Sequence, residues 1–363
     1  MKALTVGGAM IDTIAIVESD RIERMSMRNA ETSFLLIEEG RKTESLEVST
    51  HCGGGAVNSA VAMARLGAET ATLVKVGEDD RADMIVTRLE EQGVSPRWVV
   101  RDGRAPTGAS VLISSHERNA AVFTFRGVNT LLKPEDLDED AFAVDLVHVS
   151  NLSNESADCF PLIVEKAKAH GALVSANPGI RQLSARGGAF QRCLPQIDIL
   201  TINRPEADVL VASLVPQFGE GGPALELHPG EEPPSLMARG LAGGGFEMSL
   251  SAFLGALRKL GAGHVVLTDG RAGAFVCSGS EIQYCAAVDA EVAGTAGAGD
   301  AFAATYAAFI ALAQPCDVAL RAATINAAGV VGHVDTQTGL MTRSEIEGRL
   351  AASPGLKLRT WSL

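Results

Sequence analysis

The chain has 363 residues, enough for one large α/β domain or two smaller ones. Hydrophobic residues make up 46% and charged residues 21%, a globular balance that excludes a wholly disordered chain. The formal charge of −13 disfavours nucleic acid or an anionic membrane surface as main partner, since both need basic surface, but it leaves a nucleotide ligand open.

In chain order, residues 2–6 read as a buried strand ended by Gly7-Gly8. Short β-like runs at 13–17, 33–37 and 46–49 stand among charged residues. Three glycines at 53–55 lead into an Ala-rich helical run, 56–66. Residues 71–76 read as a strand, and 81–92 as an amphipathic helix stopped by Gly93. Segments 107–114 and 120–126 alternate as a hairpin around a polar turn at 115–119. From about residue 145, strands (145–149, 173–176, 197–202, 265–268) alternate with helices (156–170, 206–214), and two helices close the pattern at 300–313 and 316–331. Such alternation predicts an α/β domain with a mostly parallel sheet covered on both faces.

The β-rich stretches at about 13–50 and 105–127 do not fit that layer and are expected to form a small separate one. Residues 216–245, rich in Gly, Pro and Glu, are expected to be a flexible surface insertion. The N-terminal residues lack the pattern of a signal peptide, and the longest apolar run, 301–313, is too short to span a bilayer. Six cysteines without a C-x-x-C pair read as reduced thiols of a cytoplasmic protein, not as a zinc site.

The sharpest chemical signal is Gly294-Thr295-Ala296-Gly297-Ala298-Gly299-Asp300, a glycine-rich loop that opens a helix. Glycines let successive N–H groups line one concavity, and the helix terminus favours negative charge, so Gly297, Ala298 and Gly299 suit a phosphoryl group. Asp300 at the rim would repel phosphate but could take a proton from an attacking hydroxyl. No Lys-Ser/Thr follows, so this is not a Walker loop. Taken alone, it could also be a turn with Asp300 as a helix cap.

Gly53-Gly54-Gly55 and Asn58 suggest close backbone approach to a hydroxylated ligand, or simply tight helix packing. Asn203 and Glu206 follow a predicted strand, where open sheets bind ligands; Glu206 could hold Mg²⁺, or the pair could just decorate a helix start. Asp12 could accept from two substrate hydroxyls. Thr268, Gly270 and Gly273 form another turn after a strand, able to meet a nucleotide.

In this order the pieces resemble the ribokinase-like (PfkB) carbohydrate kinases across nearly the whole chain. The match runs through Asp12, Gly54 to Asn58, Thr107-Gly108, Gly127-x-Asn129-x-x-Leu132, Asn177-Pro178, Asn203-x-x-Glu206, Thr268-x-Gly270-x-x-Gly273, Gly297 to Asp300 and Asn326. The resemblance implies a three-layer doubly wound domain with a small β-sheet lid. It also implies ATP with Mg²⁺ as phosphoryl donor and a sugar or sugar-like acceptor. It makes Asp300 the general base and the amides of 297–300 an anion hole. Asp12, Gly54, Gly55, Asn58 and Asn177 would hold the acceptor. Glu206 would hold the metal, and Asn203, Thr268, Gly270, Gly273 and Asn326 the nucleotide side. Exposed lid strands could pair two copies. Gly294 stands where the family usually has an Asp that helps form a monovalent-cation site, which puts potassium activation in doubt. A nucleoside kinase on the same scaffold is the alternative, and a non-catalytic sugar- or nucleotide-binding protein a more distant one.

Overall fold

The computed structural model describes residues 1–18, 23–26, 33–36, 39–40, 42–115, 120–223, 225, 227, 231–353, 355–356 and 358–363. The hairpin turn expected at 115–119 lies outside the described residues from 116 on, as do parts of the 13–50 and 216–245 segments.

The chain starts in the middle of the main sheet and leaves it almost at once. β1 (Lys2–Gly7) is buried from its second residue, and Gly8-Ala9 turn it into β2 (Met10–Val17) of a second sheet. A small hairpin, β3 (Glu23–Ser26) with β4 (Ser33–Leu36), precedes β5 (Glu47–Gly53). α1 (Gly55–Arg65) then returns to the main domain. Its residues 55–63 are buried without a break, because helices and strands close over it on several sides, and small side chains permit that approach.

β6 (Glu69–Val76) leads to α2 (Asp80–Glu91), capped by Asp79, and Gly93 follows with φ 71°, as its stop position requires. Short β7 (Val94–Ser95) and β8 (Val99–Arg101) finish this half. β9 (Gly108–Ser115) and β10 (Ala120–Phe125) form the second excursion. The alternating half runs β11 (Leu146–Val149), α3 (Phe160–Ala169), β12 (Leu173–Ala176), α4 (Ile180–Cys193), β13 (Ile199–Asn203) and α5 (Arg204–Phe218). After it come α6 (Ser235–Arg239), β14 (Leu241–Gly243), β15 (Phe246–Met248), α7 (Leu250–Lys259) and β16 (His264–Thr268). The last elements are β17 (Ala274–Ser278), β18 (Glu281–Cys285), α8 (Ala298–Ala311), α9 (Cys316–Val331), α10 (Arg343–Ala352) and β19 (Leu358–Ser362).

The main sheet has the order β19-β18-β17-β16-β13-β12-β11-β1-β6-β7, with β8 also on β6. Pairing is parallel from β16 to β7 and antiparallel from β16 to β19. One core, with α3, α4, α5 and α7, fills one face; the other, with α1, α2, α8, α9 and α10, fills the opposite face. This is the three-layer doubly wound architecture expected.

The second sheet has the order β10-β9-β2-β5 and forms the lid. It begins at Met10, so Asp12 is part of a lid strand rather than of a loop after β1. One correction concerns 216–245. Pro216 is inside α5, and the described residues from 235 onward form α6 and the β14–β15 hairpin, with Leu236 and Leu241 buried. Ala242 N donates to Asp208 at 3.1 Å, and a Cβ on Gly243 would overlap the Asp208 carbonyl. There the glycine-rich composition serves close docking on α5, not flexibility.

Candidate active site

The strands β1, β11, β12, β13 and β16 run parallel, so their carboxyl ends share one edge of the sheet. The chain builds outward from β1 in both directions, through β6 on one side and β11 on the other. This is the switch point where open α/β sheets bind ligands. Ser150, Asn177, Asn203 and Thr268 stand along that edge.

Above it, α8 begins at the glycine loop. Gly297 is its cap, left-handed at φ 78°, and a Cβ there would come within 2.6 Å of Thr336 Cβ. Gly299, by contrast, meets nothing within 4 Å. The first N–H groups of α8 have no partner within the helix, which suits an anion at this terminus.

Asp300 lies in the first turn of α8. Asn58 Nδ2 donates to its Oδ2 at 2.8 Å. The Asn58 Oδ1 accepts from Thr336 Oγ1 at 2.8 Å and from Gln337 Nε2 at 3.4 Å, and Gln337 Nε2 also donates to Cys52 O at 3.0 Å. Asp300 keeps part of its surface open, yet the protein around its carboxyl pushes the pKa above the usual Asp range. The Asn58 bond opposes that rise and the nearby Asp12 charge adds to it. Asn58, expected as an acceptor contact, is 3% exposed and directs its amide to Asp300 and to the 336–337 loop.

The glycines at 53–55 make room for carboxylates and backbone. A Cβ on Gly53 would overlap Asp12 Oδ2; on Gly54 (φ 98°) it would come within 2.5 Å of the Gly8 carbonyl. On Gly55 it would sit 2.9 Å from Ser150 Cβ and 3.4 Å from Asp300 Oδ1. Asp12 is buried and accepts a hydrogen bond from Ser110 Oγ on the neighbouring lid strand. Burial raises its pKa, against the Ser110 bond and the His51 charge. Asn129 clamps the start of the lid: its Oδ1 accepts from Ala9 N at 3.0 Å and its Nδ2 donates to Ala9 O at 2.8 Å.

On the other side, Asn203 and Glu206 form a capping box at the start of α5. Asn203 Oδ1 accepts from Glu206 N at 3.0 Å, and Glu206 Oε2 from Asn203 N at 2.9 Å. Burial lifts Glu206 to about 7, helped by the charge of Asp300 and opposed by Asn203. Thr268 pairs directly with Asn203. The turn beyond it has Gly270 and Gly273 at positive φ (54° and 94°) and is tied down through Asp269, which takes Arg239 of α6 at 2.9 and 3.0 Å. Asn177 Nδ2 donates to Thr201 O at 2.8 Å.

Asn326 does not reach the cleft. It is fully buried, donating to Thr305 at 2.8 Å and accepting from Met341 N at 2.9 Å, so it ties α8 and α9 together instead of touching a nucleotide. At Gly294 a Cβ would lie 2.9 Å from the His333 carbonyl and 3.2 Å from that of Val334. A side chain there would require the 333–334 backbone to shift. Among the described residues no group of three or more His, Cys, Asp or Glu could hold a metal. A single buried carboxylate, Glu206, does fit Mg²⁺, which usually keeps waters and phosphate oxygens as its other ligands.

The chain pattern gave no notice of Ser110, Ser150, Thr336 or Gln337. Each is an ordinary polar residue, brought to the site by partners far away in the chain.

What such a site can do is move a phosphoryl group onto an alcohol, and the protein is a phosphotransferase of the small-molecule kinase class. The chain belongs to the pfkB family of carbohydrate kinases, whose model matches residues 2–217 and 244–343. The unmatched 218–243 contain α6 and all of β14. The chain is 24% identical over 328 residues to a deoxyribokinase of Salmonella typhi, covering 90% of this chain and 94% of that one. The crystal structure of a Thermotoga maritima ribokinase superposes with a TM-score of 0.70 at 19% identity, over 97% of this chain and 99% of the other. A Burkholderia thailandensis nucleoside kinase in complex with inosine gives 0.70 at 17% identity, over 97% and 99%. No helix among the described residues is long and apolar enough to cross a membrane, and all six cysteines are free.

Proposed function

We propose that this kinase transfers the γ-phosphate of ATP to a hydroxyl of a sugar or sugar-like small molecule, with Asp300 as general base. The observation that carries the reading is the Asn58 amide, whose Nδ2 donates to Asp300 while its Oδ1 takes Thr336 and Gln337. That bond leaves the second carboxylate oxygen to the acceptor. The acceptor hydroxyl gives its proton to Asp300 as its oxygen attacks the γ-phosphorus, and the bond to the β-phosphate oxygen breaks. The amides of 297–300 take the charge that gathers on the transferring group. Asp12 and the backbone of Gly54 and Gly55 position the acceptor, with Asn177 at its far edge. Asn203 and the turn at Thr268, Gly270 and Gly273 flank the nucleotide.

Glu206 would hold Mg²⁺, which when bound neutralises phosphate charge. Closure of the lid over the acceptor would keep water from the γ-phosphate. On the lid's outward face Val48, Val111, Phe123 and Phe125 are exposed, which supports pairing with a second copy. The free thiols suit the cytoplasm.

The test is ADP release measured over pentoses, hexoses, sugar acids and nucleosides. Acceptor-dependent ADP is expected, and Asp300→Asn should lower kcat by about 10²–10⁴-fold while KM for ATP moves little. Normal turnover by that variant would remove Asp300 as the base. A nucleoside as best acceptor would favour the nucleoside-kinase alternative.

A further inference from the structure

The segment 218–243 stands outside the residues shared with the family, and its described part reaches the 268–273 turn by two separate routes. The first enters at the start of the turn. Only 9% of the Asp269 side chain is exposed, and it lies between Arg239 at the end of α6 and Arg204 at the head of α5. Arg239 Nη2 donates to both carboxylate oxygens, at 3.0 and 2.9 Å, and Arg204 Nε is 3.6 Å from Oδ1. Leu236, fully buried, fixes α6 to the core, and Gly240 at φ 71° turns the chain into β14 on Asp208.

The second route ends at the far side of the turn. Arg359 of β19 donates to Glu231 Oε1 at 2.5 Å and to the Glu232 carbonyl at 2.7 Å. Its guanidinium lies 5.9 Å from the centre of the Tyr284 ring on β18, within cation–π reach. Tyr284 Oη in turn donates to the Ala272 carbonyl at 2.8 Å. Between these two holds the turn stays open: a Cβ on Gly270 would meet nothing within 4 Å.

A carboxylate one residue beyond Thr268 would repel the phosphates of a nucleotide at this turn. Two guanidinium groups beside it offset that charge and hold the turn in one place. We infer that 218–243 is a brace for the nucleotide side of the site, with Arg239 as a positioning residue that acts through Asp269. The inference rests on the reading that ATP lies along the turn at Thr268, Gly270 and Gly273.

The test is calorimetric titration of the full chain with ATP and Mg²⁺, without acceptor, beside thermal melts. Arg239→Ala should weaken ATP binding by about 5–20-fold. Its melting temperature without nucleotide should stay close to that of the wild type, because 39% of the Arg239 side chain is exposed. Arg239→Lys should recover part of the affinity. In an Asp269→Asn background, Arg239→Ala should cost less than about twofold, since the charge to be offset is gone. In steady state, KM for ATP should rise while KM for the acceptor moves by less than about twofold. Unchanged ATP affinity in Arg239→Ala, the same loss in the Asp269→Asn background, or an equal rise in both KM values would overturn the brace. If ATP binds but no sugar is turned over, the sugar-kinase reading falls, and the affinities alone uphold or overturn the brace. No ATP binding by the wild type removes both.

Discussion

Gly53, Gly54 and Gly55 are each hemmed in by protein atoms, whereas Gly299 in the second glycine run opens onto free space. In the sequence the two runs look alike, small residues leading into an Ala-rich helix. In the fold they divide the work. The first is filled from within by the Asp12 carboxylate, the Gly8 carbonyl and Ser150, and it sets the distance between lid and main domain. The second is anchored at Gly297 against Thr336, and nothing lies where a Cβ on Gly299 would stand. A glycine packed against the protein and one facing open space carry the same letter, and only their surroundings separate them.

Single alanines should break or sharpen this contrast. Gly53→Ala puts a methyl into the Asp12 carboxylate, so it should lower stability by about 1–3 kcal/mol and cut kcat/KM for the acceptor by more than tenfold. Gly299→Ala adds a methyl to open space in the first turn of a helix. Its melting temperature should hold or rise, by up to about 1 kcal/mol of stability, while kcat/KM for ATP falls. Thermal melts beside steady-state kinetics read both variants. Equal losses of stability would erase the contrast.

Glu206 offers a finer probe of the ligand side. Its folded pKa of about 7 lies above the ordinary Glu value of 4.5, so the fold favours the protonated form. Below the unfolded pKa both states are protonated and no penalty exists. As pH rises through 4.5 toward 7 the wild type loses stability, by at most about 3 kcal/mol. Glu206→Gln keeps an acceptor for the capping box and does not titrate. Without metal or nucleotide, its melting temperature should gain on the wild type between pH 5 and pH 8; a constant difference would contradict the buried carboxyl. The smallest expected effect is that of potassium. With Gly294 against the His333 carbonyl, replacing K⁺ by tetramethylammonium should change kcat/KM by less than about twofold, and activation beyond tenfold would show that another group completes a cation site.

Much of the fold was legible because its causes are local. Alternating strands and helices, Gly93 after α2 and the Asn203–Glu206 spacing at the head of α5 each declare themselves within a few residues. The stretch at 216–245 misled for the same reason: its composition speaks of loops, and its docking on Asp208 of the predicted helix is a contact in space that composition does not show. Asn326 looked like a ligand contact, but it is enclosed between Thr305 and Met341. Asn58 has a partner that the spacing did not announce, the Asp300 carboxylate.

By itself the sequence determined the layer pattern, the glycine turn and the carboxylate beside it, since turn, helix start and Asp300 sit within seven consecutive residues. Only the tertiary structure decided what surrounds that carboxylate: Asn58, itself bonded to Thr336, and the nearby Asp12 with its partner Ser110. Such partners are tens to hundreds of positions apart. A hydrogen bond or a repulsion between them depends on distance in space, which leaves no periodicity or spacing in the chain to read.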